Sequence, residues 1–437
     1  MTNSSPTLKK ALSAVHLWAI AVGLVISGEY FGWNYGWGVA GTVGMLIASV
    51  VVTIFYITFV FSYTELTTSI PNAGAAFTYS YKAMGSIGGL IAGYATLIEF
   101  LFATPAIGNA LGSYIHFLNP NMDVTFIAIG FYLVFTVINM LGIKESATFT
   151  LIVTTLAIAE LLVFMGIIAP HFKMQNFTHN SMPFGWSGVF AALPFAIWLY
   201  SGIEGVAMVA EEVKEPNRTI PIGYLLGIST LVLLALGVMT LTGGITDWKN
   251  LSGLDYPLPE AIGIIIGKDS SITKIFASIG LFGLIASFHS NILSYSRLTF
   301  SLARENYLPT FLSSLHPKFQ TPHWALIVGF LLGVGFILSG KTDKLITLSA
   351  LGAIIMYIMS LLSLFILRKK EPLLNRPFRA PLYPYSPFIS LVIATVCLLA
   401  IIYYNWELAV FFFGFIAILS LIFVILGKHK VILETTR

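Results

Sequence analysis

Val25-Ile26-Ser27-Gly28-Glu29-Tyr30-Phe31-Gly32 and Trp198-Leu199-Tyr200-Ser201-Gly202-Ile203-Glu204-Gly205 decide the architecture of this chain. Both lie in the middle of long apolar runs, and both place Ser-Gly ahead of a glutamate, with aromatic residues or another glycine beside it. Glycine weakens a helix by about 1 kcal/mol against alanine. Unwinding there frees backbone groups that a ligand can satisfy. A lone glycine in a membrane helix usually serves close packing. Two matched breaks, each with a carboxylate and five apolar spans apart, instead mark the centre of a transporter built from two inverted five-helix units.

Working outward, 57% of the 437 residues are hydrophobic and only 10% are charged, with a mean hydropathy of +0.87. A water-facing surface needs roughly 25% charged residues, so most of this surface faces lipid. Apolar runs of about 18 residues or more recur along the chain, each long enough to cross the hydrocarbon core as a helix. The strict alternation of a membrane β-barrel is missing. The pattern predicts an all-α integral membrane protein with twelve transmembrane helices at 14–39, 42–64, 84–112, 123–141, 147–169, 188–210, 221–245, 272–298, 323–339, 344–367, 386–404 and 407–427. These form a single transmembrane domain: 14–169 as the first five-helix repeat, 188–367 as the second, and 386–427 as two additional helices. The first run follows Lys9 and Lys10 but is too long for a signal peptide, so a retained helix is expected.

Placing both termini in the cytoplasm leaves only Lys173, Lys249, Lys268, Lys274, Lys341 and Lys344, six of the 23 Lys and Arg, on the opposite side. The inner loops then carry Lys82, Lys144, Lys214, Arg218, Arg304, Lys318 and the cluster from Arg368 to Arg379. That bias sets the orientation. The expected location is the plasma membrane, a bacterial inner membrane. The longest outer loop, about 246–271, holds Asp247, Asp255, Glu260 and Asp269.

Glu29, Glu99, Glu160 and Glu204 fall inside predicted spans, where a charge costs roughly 2.5–3.5 kcal/mol. No Lys or Arg lies at comparable depth; Arg297 sits at the inner end of its span. Four acids without basic partners imply bound protons, a cationic ligand, or both. Glu29 would open the second half of a broken helix, where free N–H groups attract anions. A carboxylate of the protein itself there favours an amine without a carboxyl group over a zwitterion; a helix cap is the plainer role. Tyr30, Phe31, Trp198 and Tyr200 can hold an ammonium by cation–π contact, while Trp33 and Trp37 suit the bilayer interface. The expected substrate-binding set is Ser27, Gly28, Glu29, Tyr30, Trp198, Tyr200, Ser201, Gly202 and Glu204. Glu99, Glu160 and His289 are proton-coupling candidates, each with packing as its alternative. Glu65, Glu211 and Glu212, at inner span ends, read as loop ion-pair partners.

Cys397 is the only cysteine, which excludes an internal disulfide and a multi-cysteine metal site. No Walker loop, HExxH or Rossmann pattern is present, so an ion gradient is the expected energy source and no metal, cofactor or nucleic acid is expected. The expected partners are a small cargo, protons and membrane lipid.

Three motifs in order resemble the amino acid–polyamine–organocation (APC) superfamily of secondary transporters. They are Tyr63-Thr64-Glu65-Leu66 with Ile70-Pro71-Asn72-Ala73-Gly74-Ala75-Ala76-Phe77-Thr78-Tyr79, then Glu211-Glu212-Val213-Lys214-Glu215-Pro216-Asn217-Arg218-Thr219-Ile220-Pro221, then Ser296-Arg297 with Ala303-Arg304-Glu305-Asn306-Tyr307-Leu308-Pro309. The resemblance implies a leucine-transporter-like fold, a 5+5 inverted repeat plus two extra helices, with alternating access around broken helices 1 and 6. Ser27-Gly28-Glu29-Tyr30-Phe31-Gly32-Trp33-Asn34-Tyr35-Gly36 is similar to the ethanolamine permease branch. It departs from the Gly-x-Gly break of amino-acid carriers. A lysine found on helix 5 of some proton-coupled relatives has no counterpart between Val153 and Ala157, leaving Glu160 or His289 to replace it. The expected activity is ethanolamine import coupled to proton symport, with an amino acid or polyamine permease as the alternative. A channel lacks the continuous polar pore it needs, and an enzyme lacks a nucleophile–base set.

Overall fold

A computed structural model describes residues 10–142 and 147–425. Lys9, Lys144 and the end of the last predicted span lie outside the described residues. Sixteen α-helices follow one another: α1 (Ala14–Val25), α2 (Ser27–Tyr30), α3 (Trp33–Ser69), α4 (Ala75–Leu118), α5 (Val124–Met140), α6 (Ala147–Ile168), α7 (Met174–Thr178), α8 (Gly185–Ala191), α9 (Leu193–Trp198), α10 (Pro216–Gly243), α11 (Pro257–Ile266), α12 (Ser271–Arg304), α13 (His323–Ile337), α14 (Thr342–Lys370), α15 (Tyr385–Tyr404) and α16 (Trp406–Ile425). A 3-10 helix, Ile203–Glu212, continues α9 beyond a four-residue turn.

Nine helices among the described residues are long and apolar enough to cross a membrane. Their outward side chains stay bare: Phe126 is 79% exposed and Ile425 is 72% exposed. Water penalises such a surface and lipid does not. The helical bundle is therefore a multi-pass membrane protein.

Most predicted spans coincide with helices to within a few residues, and the differences have local causes. The stretch 75–84 belongs to α4, joined to it across Gly85 at φ +72°. Its Thr, Tyr, Ser and Lys residues hide it from hydropathy. Gly41, at φ +71°, bends α3 where two separate spans were expected. Trp33 and Trp37 are fully buried and meet edge to face at 4.8 Å, so they pack the interior and do not anchor an interface.

The core is organised around α4. Helix α14 lies along it, and α12, α5 and α13 pack on its other faces. Gly352 lets the backbones of α14 and α4 touch, since a Cβ there would stand 2.6 Å from the Ala95 carbonyl. That contact seats α14 against the backbone of Glu99. At one end, Ala11 N and Lys214 N exchange bonds with Glu212 O and Leu12 O at 2.8 and 3.2 Å. They tie the start of the chain to the end of the 3-10 helix.

Candidate functional site

The first break is an interruption at Ile26 followed by a sharper one at Phe31 and Gly32. Phe31 is extended and Gly32 has φ +99°, a region that only glycine occupies cheaply. The carbonyls released there find unusual donors. Trp33 Nε1 donates to Glu29 O at 3.1 Å and Trp198 Nε1 donates to Phe31 O at 3.0 Å. Two indoles thus replace the bonds that the helix gave up.

The second break spans 199–202, with Gly202 at φ +100°. Its polar groups are met by carboxylates. Ser201 Oγ donates to Glu99 Oε1 at 2.8 Å, and the Gly202 N–H also reaches Glu99. Tyr357 OH donates to Glu204 Oε2 at 2.9 Å and receives from Tyr56 OH at 3.0 Å. The remaining oxygens, Glu99 Oε2 and Glu204 Oε1, have no other donor, and the two side chains are within hydrogen-bonding reach of each other. A proton shared between two carboxyl groups this close relieves their mutual repulsion.

Between the breaks is a cavity of about 10 Å³ whose polar lining comes from Ser27, Glu99, Trp198, Ser201, Gly202 and Asn291. That is the space of about one water, so the cavity is collapsed around its polar groups. Among the described residues that line it, Glu99 alone is ionisable. Ser27 Oγ meets Ser287 Oγ at 2.8 Å, and Asn291 Nδ2 donates to Ser287 O at 2.8 Å. Leu24 separates the cavity from a larger one of about 260 Å³ that reaches Glu212, Ser294 and Arg297.

The amino acid permease family profile matches residues 12–431, nearly the whole chain. The chain belongs to the amino acid permease family. It is 25% identical to a branched-chain amino acid permease of Bacillus subtilis, over 98% of this chain and 96% of the relative. A methylthioribose transporter of the same bacterium is 26% identical over 91% and 88%. A Rhizobium meliloti protein named only as an uncharacterized transporter is 27% identical over 89% and 85%.

The permease's expected site residues do not all meet at the cavity. Ser27, Trp198, Ser201 and Gly202 line the cavity, joined by Glu99. Glu204 stands directly behind Glu99. Gly28 admits the Trp198 carbonyl, which a Cβ would approach at 2.6 Å. Tyr200 is turned to Thr53, with the hydroxyls 2.6 Å apart. Glu29 is fully buried, is not among the cavity-lining residues, and has no partner on either carboxylate oxygen.

Tyr30 and Glu160 form a second polar pair, with Tyr30 OH donating to Glu160 Oε2 at 2.7 Å. Gly283 makes room for it, since a Cβ there would lie 2.8 Å from the Tyr30 hydroxyl. His289 faces α5, where Asn139 Nδ2 donates to its Nδ1 at 3.1 Å. The three proton-coupling candidates are therefore not one relay: Glu99 lies at the cavity, Glu160 under Tyr30, and His289 against Asn139.

Two structural clusters escaped or exceeded the sequence pattern. In the loop 246–271, Tyr35 OH and Thr342 Oγ1 donate to the two oxygens of Asp255 at 2.6 and 2.9 Å. Asn34 Nδ2 donates to Leu251 O and Leu254 O at 2.7 and 2.8 Å. Tyr35 also stacks on Phe195 at 6.0 Å. This clasp closes the loop over the upper halves of both broken helices. Burial pushes the Asp255 carboxyl up to about 6, against the opposing pull of the Tyr35 and Thr342 bonds. No periodicity marks Asp255, so only the fold reveals it. Asn291 had a legible signal, its i+4 spacing from Ser287 on one helix face.

At the opposite end Glu65 is an ion-pair partner, as its position suggested. Arg368 Nε donates to Oε1 at 2.8 Å and its NH2 to Oε2 at 2.5 Å. Arg376 stands 3.4 Å away, and Ala380 N donates at 2.7 Å. Glu211 instead accepts the Ala73 N–H at 3.0 Å.

Proposed function

We propose that this permease is a secondary active importer of ethanolamine, a small amino-alcohol cation, coupled to proton symport. One observation carries the proposal: among the described residues that line the cavity between the breaks, Glu99 alone is ionisable. With one proton shared, the Glu99–Glu204 pair presents one negative charge, which an ammonium neutralises. The hydroxyls of Ser27 and Ser201 and the amide of Asn291 suit the alcohol end. The Gly202 N–H, which a zwitterion's carboxylate would need, already faces the Glu99 and Glu204 carboxyl groups. No Lys or Arg is ion-paired to Glu29, Glu99, Glu160 or Glu204 among the described residues.

In this proposal 14–169 and 188–367 are the two inverted repeats of a leucine-transporter-like fold of twelve transmembrane helices, and 386–427 adds two helices. Both termini lie in the cytoplasm, and the protein resides in a bacterial plasma membrane. The Asp255 clasp seals the outer side while the larger cavity beyond Leu24 leads inward. At a potential of about 100 mV each entering charge gains about 2.3 kcal/mol, which adds to the proton gradient.

The second function is amino acid transport, favoured by the B. subtilis branched-chain relative. Uptake of radiolabelled ethanolamine into proteoliposomes decides between them. Saturable uptake that excess leucine or serine leaves unaffected supports the amine. Uptake of labelled amino acid that ethanolamine fails to inhibit refutes it.

A further inference from the structure

We propose that Glu29 is the site of the coupled proton, separate from the cargo cavity. Among the described residues it is the buried acid with neither oxygen engaged. Glu99 has Ser201, Glu204 has Tyr357 and Glu160 has Tyr30, whereas both Glu29 oxygens lack partners and the residue is fully enclosed. An anion enclosed there without a donor from the protein is costly, so a cation must accompany it.

Its surroundings choose the cation. Ser27 and Tyr30 occupy the faces of α2 toward α12 and α6, and Gly28 occupies the face toward Trp198. At 100° per residue this leaves Glu29 on the side opposite Ser27, and α10 is the other helix packed on α2. Gly223 meets Leu17 and Gly227 meets Ala21, a constant offset of 206 that carries Glu29 to the level of Ala235. There α10 offers Leu231, Leu234, Ala235 and Val238, all buried and apolar.

Tyr200 stands within electrostatic reach of Glu29. Of the other titratable groups on packed elements, Arg218 and Tyr224 lie at the far end of α10 and His16 at the start of α1. On α12, His289 faces Asn139, Tyr295 lies against Gly329, and Lys274, Arg297 and Arg304 stand toward the helix ends. A metal ion needs several oxygen ligands, and no group of three acidic, His or Cys side chains exists among the described residues. A proton needs only one carboxylate.

Position gives the proton its consequence. Glu29 and the cavity residue Ser27 share a four-residue helix between two interruptions, so the segment moves as a unit. With Glu29 neutral it packs against α10 as seen; with Glu29 ionised that packing is lost. Proton and cargo thereby act on the same segment from opposite faces.

The inference rests on the carrier proposal, but its test separates from it. Purified protein in proteoliposomes is assayed for radiolabelled ethanolamine exchange at equal pH, and for accumulation under an imposed acid-outside gradient with the potential clamped. If ethanolamine proves not to be the cargo, whichever labelled amino acid the competition assay identifies is used in the same two measurements. Wild type should accumulate cargo several-fold under the gradient. E29Q should keep exchange within about twofold and lose gradient-driven accumulation entirely. E29D, still titratable, should fold, exchange and respond to the gradient, and it decides the matter if E29Q does not fold. A wild type indifferent to the gradient overturns the proposal. So does an E29Q protein that still concentrates cargo, a folded E29Q protein without exchange, or a folded, exchanging E29D protein without a gradient response.

Discussion

Asp255→Asn should remove a pH dependence from the closure of the 246–271 loop of the permease. In the closed clasp the Asp255 carboxyl is pushed up to about 6, from 3.8 in its ordinary state. The closed form therefore binds the proton more tightly than an open form in which the loop is hydrated. Below pH 3.8 both forms are protonated and the clasp keeps its full strength. It weakens as pH rises from 3.8 through 6, then stays constant. The shift corresponds to at most about 3 kcal/mol. Residual exposure of the half-buried loop reduces this to about 1–2 kcal/mol, a factor of roughly 5–30 in the closed-to-open ratio. The assay uses Ala103→Cys, at a residue lining the cavity between the breaks, in a Cys397→Ser background, labelled by an impermeant thiol reagent from the loop side of oriented vesicles. Rates are normalised to Lys249→Cys on the exposed loop. The normalised rate should climb about 5–30-fold between pH 4 and 7 and be flat in Asp255→Asn. A flat profile with Asp255 present, or an unchanged profile in the asparagine variant, refutes the reasoning.

Glu99→Gln loses the charge opposite the ammonium and a charged hydrogen bond worth about 1.5–3 kcal/mol; binding of labelled ethanolamine should weaken roughly 10–100-fold. Gly202→Ala forces a side chain into φ +100°, which should cost about 1–3 kcal/mol, read as a lower Tm and reduced uptake. Arg368→Ala strips the bidentate partner from Glu65, which is 1% exposed. About 3 kcal/mol of stability should be lost, visible in thermal unfolding of the detergent-solubilised protein. Gly283→Ala should displace Tyr30 from Glu160, lowering exchange more than it lowers Tm.

Hydropathy and backbone chemistry are local properties, and what depends on them was legible in the chain itself. The expected span 123–141 is the helix Val124–Met140, and 386–404 is Tyr385–Tyr404. Both proposed breaks contain a glycine at positive φ, Gly32 and Gly202, because no other residue takes that conformation cheaply. Which acid faces the cavity is not local. Glu29 and Glu99 look equally buried by position, yet Glu99 lines the cavity and Glu29 does not. The difference arises from α14 pressing Glu99 into place at Gly352 and from α2 turning Glu29 away. Asp255 closes on Thr342 across 87 residues, and Arg368 reaches Glu65 across 303. Such pairs are set by how helices pack, and neither periodicity nor spacing along the chain carries that information.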